Sequence, residues 1–205
     1  MSAHLDNEET LVLDAQAGSR EAFATLLNQY ARRLFRLALN ITGNQDDAAD
    51  ALQEAFLKAF RALRSFRGES QFSTWLFRIA VNEARMKVRK RREVPLETIF
   101  PDDDDGDYTP TMLADWREIP SEALLKEETR RLVRESIADL PEKYREVLTL
   151  RDVNGKNIAE TSEILGISIG NTKVRLLRAR LMLRDIFVER TRRKPKQQPA
   201  KGVSP

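Results

Sequence analysis

The chain has no cysteine and a single histidine, His4, and those two shortages remove whole classes of chemistry. Disulfides, thiol redox switches, cysteine nucleophiles and zinc fingers need residues it does not have. His4, beside a terminus, lacks the partners of a metal site or a proton relay. No metal and no cofactor are expected, and any sensing of stress falls to another molecule. Long apolar runs are missing too: none approaches the ~20 residues that span a bilayer. The acidic segment from Met1 to Thr10 has neither the basic nor the apolar region of a leader. A cytoplasmic protein without membrane insertion is expected. There is also no convincing run of alternating β-branched residues, which argues against strands.

What is present is helical periodicity and charge sorted along the chain. With 205 residues, 41% of them hydrophobic and 33% charged, the chain can bury one modest core or two small ones. The net charge of +3 is a weak signal, but its distribution is not. Arg85, Lys87, Arg89, Lys90, Arg91 and Arg92 form one basic block, Lys173 to Arg184 a second without an acid, and Arg190 to Lys196 a third. Between the first two lies an acidic stretch from Glu93 through Asp102–Asp105 and Asp107 to Glu122. It also carries Pro95, Pro101, Gly106, Pro110 and Pro120, so it reads as a linker of roughly 25 residues.

The spacing predicts an all-α protein of two small domains. Residues 1–94 form the first, 95–120 the linker, 121–190 the second, and 191–205 a disordered basic tail. In the first domain a short helix near Glu8–Ala17 stops at Gly18, and Ser19 caps a helix with Phe23, Leu26, Leu27, Tyr30, Leu34, Ala38 and Ile41 inward. After Gly43, a third helix turns Leu52, Phe56, Ala59 and Leu63 inward and Asp50, Gln53, Glu54, Leu57 and Arg61 outward. A fourth, from Phe72, buries Trp75, Leu76, Ile79 and Ala80. In the second domain Ser121 caps a helix with Leu125, Leu132, Val133, Ile137 and Leu140 inward, and Pro141 suits the first turn of the next. That next helix buries Tyr144, Val147 and Leu148 and ends at Gly155. Asn157 and Glu160 have capping-box spacing for a short helix that Gly166 ends, and Ser168 caps a last helix with Val174, Leu177 and Leu181 inward. Short helix, glycine turn and basic helix make a helix-turn-helix candidate.

Two patterns point to nucleic acid. Asn171, Lys173, Arg175, Arg178 and Arg180 set long donors around the last helix, as major-groove reading requires. Thr74, Arg78, Asn82, Arg85 and Arg89 recur every three or four residues along the fourth helix, a polar and cationic stripe with Phe72, Trp75 and Phe77 beside it. Such a surface suits bases that have left the stack. Each pattern taken singly also fits a solvated basic helix or core aromatics.

The run Asp50-Ala-Leu-Gln-Glu-Ala-Phe-Leu-Lys-Ala-Phe60, the following Phe66-Arg-Gly-Glu-Ser70, and Phe72-Ser-Thr-Trp-Leu-Phe-Arg-Ile-Ala-Val-Asn82 closely resemble domain 2 of extracytoplasmic function sigma factors, the RpoE-like members of the sigma-70 family. Leu140-Pro-Glu-Lys-Tyr-Arg-Glu-Val-Leu148 and Arg175-Leu-Leu-Arg-Ala-Arg-Leu-Met-Leu-Arg184 resemble their domain 4. The likeness spans about 160 residues in two blocks, which makes chance a poor explanation. It implies a promoter-specificity subunit, not an enzyme. Asp50, Gln53, Glu54 and Leu57 would dock on the β′ clamp helices of RNA polymerase core, with further contact to the β subunit. Arg67, Ser70, Thr74, Trp75, Arg78, Asn82 and Arg85 would hold the melted minus-ten strand and its flipped base. Ser168, Asn171, Thr172, Lys173, Arg175 and Arg178 would read the minus-35 duplex, and an anti-sigma factor would cover these surfaces in the off state.

The chain departs from that pattern at Thr161 and Ser162, where Ile and Ala are usual, and at Asn171, Thr172 and Val174. Thr161 then needs a buried hydrogen-bond partner, and the minus-35 preference is left open. The acid run is no calcium loop, since placing Gly106 sixth puts Pro101 first and Met112 twelfth. It either threads the polymerase cleft or is a plain solvated linker. Two rival readings stay in view. A stand-alone helix-turn-helix regulator leaves the first domain unexplained. A nuclease or recombinase needs a catalytic carboxylate cluster in a folded domain, and the dense acids lie in the linker.

Overall fold

The computed structural model of the protein describes residues 2–92 and 127–193. Among these residues every element is helical: α1 (Ser2–Gln16), α2 (Arg20–Thr42), α3 (Gln45–Ala62), a 3-10 turn (Leu63–Ser65) and α4 (Phe72–Arg92), then α5 (Glu127–Ala138), α6 (Glu142–Leu148), a π-helical turn (Thr149–Val153), α7 (Ile158–Leu165) and α8 (Ile169–Arg193). The expectations for the linker, for Ser121 and Leu125, and for the tail past Arg193 lie outside the described residues.

Local signals set the helix ends. The Ser19 hydroxyl accepts the Ala22 N–H at 3.1 Å, and Asn44 accepts those of Asp46 and Asp47 at 2.8 and 3.0 Å, so each satisfies donors the first turn would otherwise leave open. Gly43 closes α2 in the left-handed region at φ 68°, where its N–H bonds the Leu39 carbonyl. At the end of α1, Gln16 donates to the Leu63 and Phe66 carbonyls at 3.1 and 2.8 Å. This pins the turn after α3, and with it the loop before α4.

The packing of α3 corrects an expectation. Its inward face is Ala48, Ala51, Ala55 and Ala59, all buried, while Leu52 and Phe56 are only half-buried beside them. A line of methyl groups brings the α3 backbone close to both α2 and α4, leaving the larger side chains to fill the margins. On α4 the expected Leu76 and Ala80 are buried with Phe77, Val81, Ala84 and Val88, and Trp75 and Ile79 are half-buried.

In the second lobe Ile137, Leu140, Tyr144 and Leu148 pack on Ala179, Met182, Leu183 and Ile186 of α8. This moves the register of α8. Its inward line is Thr172, Leu176 and Ala179, whereas Val174 and Leu177, expected inside, are 43% and 61% exposed. The helix also runs on to Arg193, past the expected boundary at 190. Arg190, the last residue of the expected second domain, pairs with Glu135 at 3.0 Å and Asp139 at 2.5 Å, tying α8 to α5. Pro141 stands at the N-cap of α6, one residue before its expected position.

The two lobes pack on each other. Val147, Leu150, Ile164, Leu165 and Leu176 join the same apolar cluster as the α1–α4 core, with α7 lying along α4 and α6 against α2.

Candidate nucleic-acid interface

The loop between α3 and α4 borders a cleft of about 260 Å³ lined by Phe66, Arg67, Glu69, Ser70, Trp75 and Arg78. Its aromatic wall is a packed group: Trp75 lies 5.1 Å from the Phe66 ring and 5.6 Å from that of Phe72, and Phe66 and Phe72 meet edge-on at 5.9 Å. Trp75 is therefore part core and part platform, anchored on one side and lining the cleft on the other. Arg67, Glu69 and Arg78 supply a charged rim, and Asn82 is exposed one turn further along α4. This brings Arg67, Ser70, Trp75 and Arg78 together as the sequence suggested, in a shape able to hold a flat polar ring.

Two members of the α4 stripe, Thr74 and Arg85, are covered by the second lobe, which corrects the reading of that stripe as one open surface. Thr74 is 1% exposed and donates to Glu160 of α7 at 3.3 Å. Arg85 is largely covered by the second lobe, where its Nε and Nη2 donate to the two oxygens of Glu146 of α6, both at 2.7 Å. Arg78 lies 4.0 Å from Glu163. The same Glu160 carboxylate accepts from Lys156 at 2.7 Å and from the Asn157 N–H at 2.8 Å, and Lys156 reaches across to the Ser73 hydroxyl at 2.7 Å. Burial pushes the Glu160 carboxyl up, but these donors outweigh it and hold it below the usual carboxylate range. Burial likewise opposes the Arg85 charge, and Glu146 overcomes it, leaving the guanidinium above its ordinary value.

Sequence reasoning missed this seam. Its one legible trace was Glu146, an acid beside Val147 and Leu148 on the face that Tyr144 also buries. Such a position demands a buried cation.

On α3, Asp50, Gln53, Glu54 and Leu57 are all exposed, sharing one face as expected. Asp50 pairs with Lys87 at 3.0 Å, and Lys58 with the buried Glu83 at 2.6 Å. Phe60, not singled out from the sequence, is 51% exposed on the flank of that face and rests on Phe23 at 5.2 Å.

The helix-turn-helix is formed by α7, Gly166 and α8. The capping box is present, with Glu160 N–H on Asn157 at 2.9 Å and Asn157 N–H on Glu160. Thr161 finds the partner it needs in the Asn157 carbonyl at 2.8 Å, and Ser162 donates to the Ile167 carbonyl. Ser168 caps α8 through the Asn171 N–H at 3.1 Å. Thr172 is buried with its hydroxyl on the Ser168 carbonyl at 2.9 Å, so it serves the turn and is corrected as a base-reading residue. Lys173 is exposed, and Asn171, Arg175 and Arg178 are half-buried along the flank. Asn171 Oδ1 and Arg175 Nε have no hydrogen-bond partner among the described residues. Arg180 points to Asp152 in a two-point pair at 2.9 and 2.7 Å, clamping the π-helical turn.

Among the described residues no helix is long and apolar enough to cross a membrane, and no group of three or more His, Asp or Glu side chains could hold a metal ion.

Two family models match the chain: Sigma-70 region 2 over residues 26–94 and Sigma-70, region 4 over residues 130–183. The chain is 35% identical over 177 residues to the ECF RNA polymerase sigma-E factor of Haemophilus influenzae, covering 86% of this chain and 93% of that protein. It is 34% identical to the RNA polymerase sigma-H factor of Pseudomonas aeruginosa, covering 85% and 91%. Among solved structures, the sigma factor RpoE of Bartonella quintana in complex with the anti-sigma factor NepR superposes with a TM-score of 0.59 at 25% identity, covering 81% of this chain and 96% of that one. CnrH in complex with the cytosolic domain of CnrY shares the fold, with a TM-score of 0.64 at 24% identity over 89% and 98%.

Proposed function

This chain belongs to the sigma-70 family, in its extracytoplasmic function group, and from that membership we propose how its surfaces divide the work. It binds RNA polymerase core and directs initiation at specific promoters. The observation that carries this is the pairing of both matched regions in one chain, each with its own surface: an aromatic cleft in the first lobe and a capped basic helix in the second. A stand-alone regulator would have no use for the first. The protein works in the cytoplasm, where polymerase and promoters are, and it catalyses no bond chemistry of its own.

Asp50, Gln53, Glu54 and Leu57 form the polymerase face, in contact with the β′ clamp helices, with further contact to the β subunit. The cleft at Arg67, Ser70, Trp75 and Arg78, with Asn82 beside it, takes the base extruded from the minus-ten strand. Extrusion costs a few kcal/mol, which stacking on Trp75 and edge hydrogen bonds offset. Ser168, Asn171, Lys173, Arg175 and Arg178 sit on the helix that enters the minus-35 major groove.

Thr74 and Arg85 can join the minus-ten surface only when α6 and α7 leave α4. The lobes-together arrangement is thus read as a resting form, and the polymerase-bound form has the lobes apart. The RpoE relative is held by an anti-sigma factor, and a partner of that kind is proposed to control this chain too.

Run-off transcription with purified core polymerase on a pool of promoter fragments tests the reading. Discrete new starts sharing two upstream elements are expected when the protein is added. Duplex binding without any new start would return the function to a stand-alone regulator.

A further inference from the structure

The outermost line of α8 is apolar. Thr172, Leu176 and Ala179 define its buried side, and at 3.6 residues per turn Val174 and Leu177 fall nearly opposite them. They are 43% and 61% exposed, and no part of the described chain covers them. Lys173 stands on one side of this line and Arg178 on the other, and there is no acid between Glu163 and Asp185. A helix face with cationic flanks and no acid suits a polyanion, and an apolar strip along its centre must meet something apolar inside that polyanion. In the major groove the one apolar group on a base edge is the thymine 5-methyl.

We propose that Val174 and Leu177 read thymine methyl groups in the upstream promoter element, which makes them specificity-determining residues beside the polar ones on the helix flank. The proposal rests on the reading of α8 as the duplex-reading helix. Three residues of helix rise about 4.5 Å, against about 3.4 Å per base pair along a strand. The two side chains therefore meet neighbouring base pairs, and the element carries thymine at adjacent or near-adjacent steps under them. Neither side chain can hydrogen-bond, so a cytosine in the same place offers them nothing.

The test uses the full chain with core polymerase on a promoter obtained by run-off selection. Each thymine of the upstream element is replaced singly by deoxyuridine, which removes only the methyl group. At one or two neighbouring positions promoter affinity and initiation should fall about fourfold each, the change that losing one buried methyl group corresponds to. With Val174→Ala or Leu177→Ala, thymine and deoxyuridine should become equivalent at the matching position, while core binding is unchanged. If no position responds to deoxyuridine, or if the response survives in both variants, the proposal is overturned and the exposed line belongs to a protein contact. Scrambling the whole element separates the two levels. Initiation lost on scrambling but indifferent to deoxyuridine defeats the methyl reading alone, whereas initiation indifferent to scrambling defeats the duplex-reading role of α8.

Discussion

The Glu160 carboxylate serves two structures at once, capping α7 through the Asn157 N–H and joining α7 to α4 through Lys156 and Thr74. Its pKa lies below the ordinary value near 4.5, so its ionised form is favoured by the fold. Its contribution is fully present above that ordinary value and is lost as pH falls through the lower, folded one. Small-angle scattering across that acid window should show the lobes separating in the parent chain. Glu160→Gln should be looser already at neutral pH and change less on acidification. An identical acid response in both would show that this carboxylate does not hold the seam.

At the same scale, Asn82 and Glu54 are both exposed and lie on different surfaces, so their variants should fail at different steps. Asn82→Ala is expected to reduce open-complex formation, read by permanganate footprinting, with core binding intact. Glu54→Lys should weaken core binding itself, read by titration of the purified polymerase. Exchanged effects would overturn both assignments.

Among the elements, the helix ends were legible in the sequence because each depends on a few adjacent residues: Ser19, the Asn157–Glu160 box and Ser168 all cap as their spacing implies. The facing of α3 and α8 was not. In α3, leucine and phenylalanine outweigh alanine in any hydrophobic count, yet close approach to α2 and α4 selects the alanines. In α8, adjacent leucines at 176 and 177 allow two registers, and only the partner helices decide between them. The same reasoning predicts where α3 is intolerant. Ala55 is fully buried, and Ala55→Leu forces a larger side chain between packed backbones at a cost of about 1–3 kcal/mol. Urea denaturation should show a lower midpoint for it, whereas Leu57→Ala on the exposed face should leave the midpoint nearly unchanged.

For the molecule as a whole, the seam between the lobes contains a buried ion pair, Arg85–Glu146, with Glu146 only 3% exposed. Which helices would meet across the linker was not legible in the sequence, because a contact between residues 85 and 146 depends on the packing of separate lobes and not on local spacing. Removing one partner of such a pair leaves a buried charge, at a cost of about 3–5 kcal/mol if nothing moves. Here something can move: separation of the lobes returns Arg85 to water. Glu146→Gln should therefore open the molecule rather than unfold it, with a larger radius of gyration and retained helix content. It should also bind a single-stranded minus-ten oligonucleotide more tightly, since Arg85 and Thr74 become accessible. Glu160→Gln breaks the same seam at a different point, so it should act in the same direction. If both variants keep the parent radius and strand affinity, the lobe contact is no barrier to promoter binding, and the minus-ten surface must be complete without Thr74 and Arg85.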